Sequence, residues 1–228
     1  MDYLAAMGIQ RWAANEMWLP LSYPVAQGLA VSENQKNALD QPVQLSWQQL
    51  QQQVAACQQC GLHQTRTQTV FGVGNHQASC LIVGEAPGAD EDKAGEPFVG
   101  RAGQLLNAIL FALGIERSMV YIANVLKCRP PQNRDPHAEE IACCQHFLQA
   151  QIRLLQPKLI IAVGRIAAFH LVPSHSSSLG ALRGRCHRYQ DTDIPVIVTY
   201  HPAYLLRSPQ EKRRAWRDWL SAQAVLQH

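Results

Sequence analysis

Four short runs of nearly continuous apolar residues mark the chain: 79–85 (SCLIVGE), 120–126 (VYIANVL), 158–164 (KLIIAVG) and 195–200 (PVIVTY). They are rich in Val and Ile and lack apolar–polar alternation, which predicts strands covered on both faces. Between them, apolar residues recur at helical spacing over 103–113, 139–155 and 165–172. Strands alternating with helices predict a three-layer α/β/α sandwich around a central four-stranded parallel sheet. Upstream, Ser46 and Gln49 form a capping-box pair ahead of a Gln-rich segment that runs to Cys57. In a parallel sheet of this kind the site opens at the carboxyl ends of the strands. The residues just beyond each strand are therefore the informative part of the sequence.

The first 45 residues break this pattern. They open on residues 1–12, an amphipathic turn or two, and continue in a stretch with Asn, Gln and Ser that Pro20, Pro24 and Pro42 punctuate. They read as a tethered extension, residues 1–45, ahead of a single folded domain, residues 46–228. Ile9 and Trp12 are its apolar anchors if it serves as a docking peptide for a replication or repair protein.

Composition narrows the class of protein. Of the 228 residues 47% are hydrophobic and 16% charged, and the formal charge is +3, which permits a polyanionic partner without requiring one. No stretch reaches the roughly 18 apolar residues of a membrane span. Nothing at the start resembles a secretory signal. A monomeric cytoplasmic protein with reduced cysteines is expected.

The strand ends carry the candidate chemistry. The first strand runs into Gly84-Glu85-Ala86-Pro87-Gly88, with Glu91 shortly after. Its glycines allow a close backbone approach to a ligand, and its acids sit at the mouth of the site. Next comes Glu96-Pro97-Phe98-Val99-Gly100-Arg101 at a helix start. Phe98 is placed to present a ring face there. Asn124 ends the second strand in an apolar setting where an unpaired amide is costly. His201, fixed by Pro202, ends the fourth strand and is suited to electrophilic or acid–base work. Dinucleotide and phosphate-loop fingerprints are absent, which weighs against a small-molecule nucleotide enzyme.

The seven cysteines are Cys57, Cys60, Cys80, Cys128, Cys143, Cys144 and Cys186. Cys57-x-x-Cys60 is a ligand pair, and Cys128 and Cys144 could complete a four-thiolate site. Spacing alone leaves zinc and an iron–sulfur cluster both open. Cys143 and Cys144 lie about 100° apart on a helix, so one of them is expected to point inward.

Together these motifs resemble the family 4 uracil-DNA glycosylases. The resemblance rests on G-E-A-P-G at 84–88, E-P-F-V-G-R-A-G-Q-L-L at 96–106, N-V-L-K-C-R-P-P-Q-N-R-D-P at 124–136 and H-P-A-Y-L-L-R at 201–207. It covers roughly residues 46–222. It implies a 4Fe–4S cluster held by Cys57, Cys60, Cys128 and Cys144. It also implies an enzyme that flips uracil out of single- or double-stranded DNA and hydrolyses its N-glycosidic bond, starting base excision repair near the nucleoid of a bacterium.

Under that resemblance, Phe98 stacks on the uracil, Asn124 reads its Watson–Crick edge and His201 stabilises charge on O2. Glu85, with Glu91 second, orients water. Ala86 stands beside the base where other relatives carry an acid. Arg101, Arg183, Arg185, Arg207 and the run 212–214 are expected on phosphates, and Leu205 or Leu206 is expected to fill the gap left by the base. A non-catalytic iron–sulfur DNA-binding module is the rival reading. It needs the thiols and arginines but not the four pocket residues together.

Overall fold

The computed structural model describes residues 45–172 and 178–227. The rest of the expected 1–45 extension lies outside them. The first described helix, α1 (Trp47–Ala56), starts at the expected box. Ser46 Oγ accepts the Gln49 N–H at 3.2 Å, and Gln49 Oε1 accepts the Ser46 N–H at 2.9 Å.

The sheet has six strands: β1 (Val73–Gly74), β2 (Cys80–Gly84), β3 (Tyr121–Asn124), β4 (Leu159–Val163), β5 (Cys186–Arg188) and β6 (Pro195–Thr199). Their order is β1-β3-β2-β4-β6-β5. The inner four, β3, β2, β4 and β6, are parallel and correspond to the four apolar runs, while β1 and β5 are antiparallel edges. The edges extend the expected sheet. They have two and three residues and hardly any buried side chains, so no apolar run announces them. Short polar edges also discourage further strand pairing.

Alternate strand residues enter opposite layers. Leu81, Val83, Ile160, Ala162, Val196 and Val198 pack on one face with Leu148 and Ile152 of α4 (Ala138–Leu155) and with α5 (Arg165–Leu171). Ile82, Ile122, Ile161 and Ile197 pack on the other with Leu106 and Leu110 of α3 (Arg101–Ala112) and Trp219 of the C-terminal helix. Three shorter α-helices are α2 (Ala89–Ala94), α6 (Leu179–Leu182) and α7 (Pro202–Arg207). The C-terminal helix is α8 (Lys212–Gln227). It opens on a basic run and buries only Ala215, Asp218, Trp219 and Ala222. A third, smaller core joins α1 to α4 through Leu50, Val54, Phe71, Leu126 and Phe147. Among the described residues no helix is long and apolar enough to cross a membrane.

Candidate active site

A cavity of about 400 Å³ opens at the carboxyl ends of β2, β3 and β6. That is within the range of small-ligand sites, roughly 300–1,000 Å³. Glu85, Ala86, Glu91, Phe98, Asn124, His201 and Arg207 all line it. Seven residues from four separated stretches of sequence thus converge. Pro130, Asn133, Arg134, Asp135 and Tyr204 join them.

Close packing builds the floor. A Cβ on Gly84 would lie 2.4 Å from Asn124 Oδ1 and 2.7 Å from Phe98 Cζ, so only glycine lets both groups lie against the end of β2. Phe98 has φ 56°, an unfavourable left-handed conformation for an aromatic residue. It is held there from both sides. A Cβ on Gly103 would fall 1.7 Å from the Phe98 carbonyl oxygen, and Arg117 Nη2 donates to the Pro97 carbonyl at 2.7 Å. Asn124 is 3% exposed, and its side-chain amide makes no hydrogen bond among the described residues. Its backbone carbonyl accepts from buried Lys127 Nζ at 2.9 Å. That ammonium also donates to Gln151 Oε1 at 2.6 Å.

Glu91 differs in kind from Glu85. Its Oε1 accepts the Val99 and Gly100 N–H groups at 3.0 and 3.1 Å, and its Oε2 accepts the Gly88 N–H at 3.1 Å. The carboxylate clamps the 84–88 loop to the turn that carries Phe98, which leaves little capacity for orienting water. Glu85 carries no such bonds. Burial and the nearby Asp135 carboxylate lift its pKa from 4.5 to about 6, partly offset by Arg165. Arg165 in turn pairs with Asp135 at 2.6 Å.

His201 caps α7. Its Nδ1 accepts the Ala203 N–H at 3.1 Å, so in the neutral ring the proton sits on Nε2. Burial, then the charge of Arg207, pushes its pKa down to about 4, against a smaller upward pull from Glu91. At neutral pH the group is an uncharged N–H donor. Its ring stacks on Phe98 with centroids 5.5 Å apart and planes 29° from parallel.

The residues expected on DNA divide. Arg207 and Arg101 are exposed, the first on the cavity rim and the second one position before Ala102, which lines it. Arg183 is occupied instead. Its side chain is 9% exposed, bonds Asp218 at 2.7 and 2.8 Å, and lies 3.8 Å over the Tyr200 ring. Arg185 is exposed but lines a separate depression with Asp218 and Ser221. Of the two leucines expected as a wedge, Leu205 is the buried one and Leu206 the more accessible. Leu205 is 1% exposed and borders the same depression as α3 and α8 residues, because a helix that turns His201, Tyr204 and Arg207 toward the cavity turns position 205 away from it. Leu206 and Tyr204 are the accessible apolar groups of that helix.

The thiols converge as well. Cys57, Cys60, Cys128 and Cys144 line one pocket between α1 and α4, together with Cys143. Arg66 Nη1 donates to Cys128 Sγ at 3.0 Å, and the Lys127 N–H donates to Cys144 Sγ at 3.3 Å. Both bonds suit sulfurs that carry negative charge. Among the described residues no three His, Cys, Asp or Glu side chains close on one ion-sized point. Cys80 is buried within the sheet core and Cys186 is exposed on β5, away from this pocket.

Sequence reasoning did not single out Tyr204, Asp135, Arg66 or Lys127. Tyr204 was legible from its i+3 spacing to His201. The others depend on a loop path that no periodicity encodes.

Residues 71–220 match the family profile described as the uracil DNA glycosylase superfamily. The type-4 uracil-DNA glycosylase of Archaeoglobus fulgidus is 43% identical over 172 residues, 73% of this chain and 86% of that protein. That of Thermotoga maritima is 46% identical over 163 residues, 72% and 84% of the two chains. A type-5 uracil-DNA glycosylase from Pyrobaculum aerophilum is more distant, at 29% over 147 residues, or 58% and 64%. The chain belongs to the uracil-DNA glycosylase superfamily, and within it to the type-4 family.

Proposed function

We propose that this protein removes uracil from DNA, hydrolysing the N-glycosidic bond of a flipped-out nucleotide and leaving an abasic site for base excision repair. The carrying observation is the convergence of Phe98, Asn124, His201 and Glu85 on one cavity. A base inside a duplex cannot reach such a cavity, so it is extruded at a cost of a few kcal/mol. Phe98 stacks on the ring. The free Asn124 amide pairs with the N3–H and O4 edge, and cytosine, with donor and acceptor exchanged, leaves that amide unpaired.

When the C1′–N1 bond breaks, its electron pair leaves with uracil and spreads to O2. The neutral Nε2–H of His201 donates to that oxygen without transferring its proton. The Gly88 amide is committed to Glu91 and Pro87 has none, so beyond the end of β2 the Glu85 and Ala86 amides are the loop's candidate donors. The cationic sugar faces Glu85, ionised at neutral pH, which orients the water that adds to C1′. The water's proton is left for the departing uracil anion. Glu91 holds the loops in place. Tyr204, Arg207 and Arg101 meet the DNA strand, single or double.

Four thiols around one pocket, two of them supplied with N–H donors, fit a 4Fe–4S cluster held by Cys57, Cys60, Cys128 and Cys144. A single zinc needs its ligands to close on one point, whereas a cluster spreads four irons among four thiolates. Bound there, the cluster supplies a rigid anchor between α1 and α4. The protein acts as a monomer on cytoplasmic, nucleoid DNA, with residues 1–45 a tethered extension whose alternative role is to dock a repair or replication partner.

Single-turnover uracil release from a uracil-containing oligonucleotide tests the reading. Glu85→Gln and His201→Ala are expected to slow release by about 10²–10³ fold each. His201→Ala also removes a helix cap, so His201→Asn, which keeps a cap acceptor, separates folding from chemistry. Wild-type rates in both Glu85→Gln and His201→Ala would overturn the scheme. DNA binding by the native chain without any abasic product would favour the rival binding module.

A further inference from the structure

We propose that the thiol pocket holds a spare ligand: Cys143 can take the iron that Cys144 holds. The inference rests on the cluster reading above and goes beyond it. Five thiols line the pocket, whereas a 4Fe–4S cluster takes four. The fifth is not a distant bystander. Cys143 precedes Cys144 on α4, one step of about 100° and 1.5 Å along the helix.

The two thiols hold different stations. Cys144 is the inner one, 8% exposed, with the Lys127 N–H on its sulfur at 3.3 Å. Cys143 is the outer one, half-buried, and lines the same pocket as Cys57 and Cys60. It sits on α4, whereas Cys57 and Cys60 follow α1, and no hydrogen bond ties its sulfur elsewhere among the described residues.

The exchange needs no oxidant. The Fe–Sγ bond to Cys144 breaks and that thiolate takes up a proton. The Cys143 thiol gives up a proton and its sulfur bonds the same iron. No electron changes hands. A centre built this way survives loss or chemical damage of the Cys144 thiolate, which a strict four-cysteine site does not.

The test uses the full chain, purified anaerobically, as wild type, Cys143→Ser, Cys144→Ser and the double variant. Iron per chain, visible absorption and far-ultraviolet circular dichroism are read on each. Wild type and Cys143→Ser are expected to carry equal iron. Cys144→Ser retains most of it with an altered visible spectrum, and the double variant loses it. A folded Cys144→Ser as poor in iron as the double variant overturns the spare ligand and leaves the cluster reading standing. An iron-free wild type sinks both. Should Cys144→Ser fail to fold, the decision passes to Cys143→Ser, which keeps all four assigned ligands. Its visible band is expected to bleach several-fold faster than wild type under hydrogen peroxide, and equal rates overturn the proposal.

Discussion

Replacing Glu85 by Gln should make the protein more stable while disabling it. Burial and Asp135 lift the carboxyl pKa from 4.5 to about 6. A raised folded-state value means that the folded protein prefers the neutral acid. Below pH 4.5 both states are protonated and there is no penalty. Between 4.5 and about 6 the unfolded chain ionises first, so stability falls as pH rises, and above about 6 the penalty is complete. At 1.36 kcal/mol per pKa unit the shift corresponds to about 2 kcal/mol. The side chain is partly exposed, and solvent screening brings this to about 1 kcal/mol. Gln is nearly isosteric and never ionises, so it escapes the penalty. For a domain of this size about 1 kcal/mol raises the midpoint by roughly 2–4 °C. The assay is anaerobic differential scanning of wild type and Glu85→Gln at matched iron content, at pH 7.5 and pH 4. The variant should melt higher at pH 7.5 and coincide with wild type at pH 4. A variant that melts at or below wild type at pH 7.5 would refute the account of a desolvated functional carboxylate.

The same geometry predicts two other outcomes. The single-turnover rate should climb through an apparent pKa of about 6 and then stay level through neutrality, because Glu85 must ionise while His201, at about 4, is already neutral there; a profile that instead fell through pH 6 would assign the histidine, charged, to the chemistry. Gly84→Ala should cost on the order of 10² in rate with cluster content unchanged, since its Cβ displaces Asn124 Oδ1 and the Phe98 ring; wild-type kinetics in that variant would show that neither group is held by the end of β2.

The inner strands were legible because burial on both faces leaves a continuous apolar run, and β2, β3, β4 and β6 fall inside the four runs with only their ends trimmed. The same physics hides β1 and β5, whose side chains are mostly in water. It also hides α8, which opens on Lys212, Arg213 and Arg214 and buries only Ala215, Asp218, Trp219 and Ala222. At the site, Glu85, Asn124 and His201 could be found because each ends a parallel strand. Their position, not their type, made them candidates. The clamp role of Glu91 was not accessible in this way. Its three partners are backbone N–H groups, which every sequence offers and only a folded loop aims. Arg183 shows the converse. A basic residue near the expected edge reads as a phosphate ligand until Asp218, 35 positions away, is seen to hold it.

The two groups that matter most for chemistry are tuned by one cause acting with opposite signs. Taking a side chain out of water disfavours its charged form. It therefore raises the acid Glu85 toward neutrality and lowers the base His201 away from it. Glu85 is only partly enclosed, so at neutral pH it still ionises, and its charge acts in a medium that screens it weakly. His201 is more deeply enclosed and stays uncharged. The cap bond from Ala203 then decides where its single proton sits, on the nitrogen turned away from the helix. A helix start and a partly dry cavity thus set a negative group for the sugar and a neutral donor for the leaving base. It follows that deeper burial of Glu85 would leave it protonated at neutral pH and idle. The openness that keeps it only half enclosed is then a condition of the chemistry, alongside access for the strand.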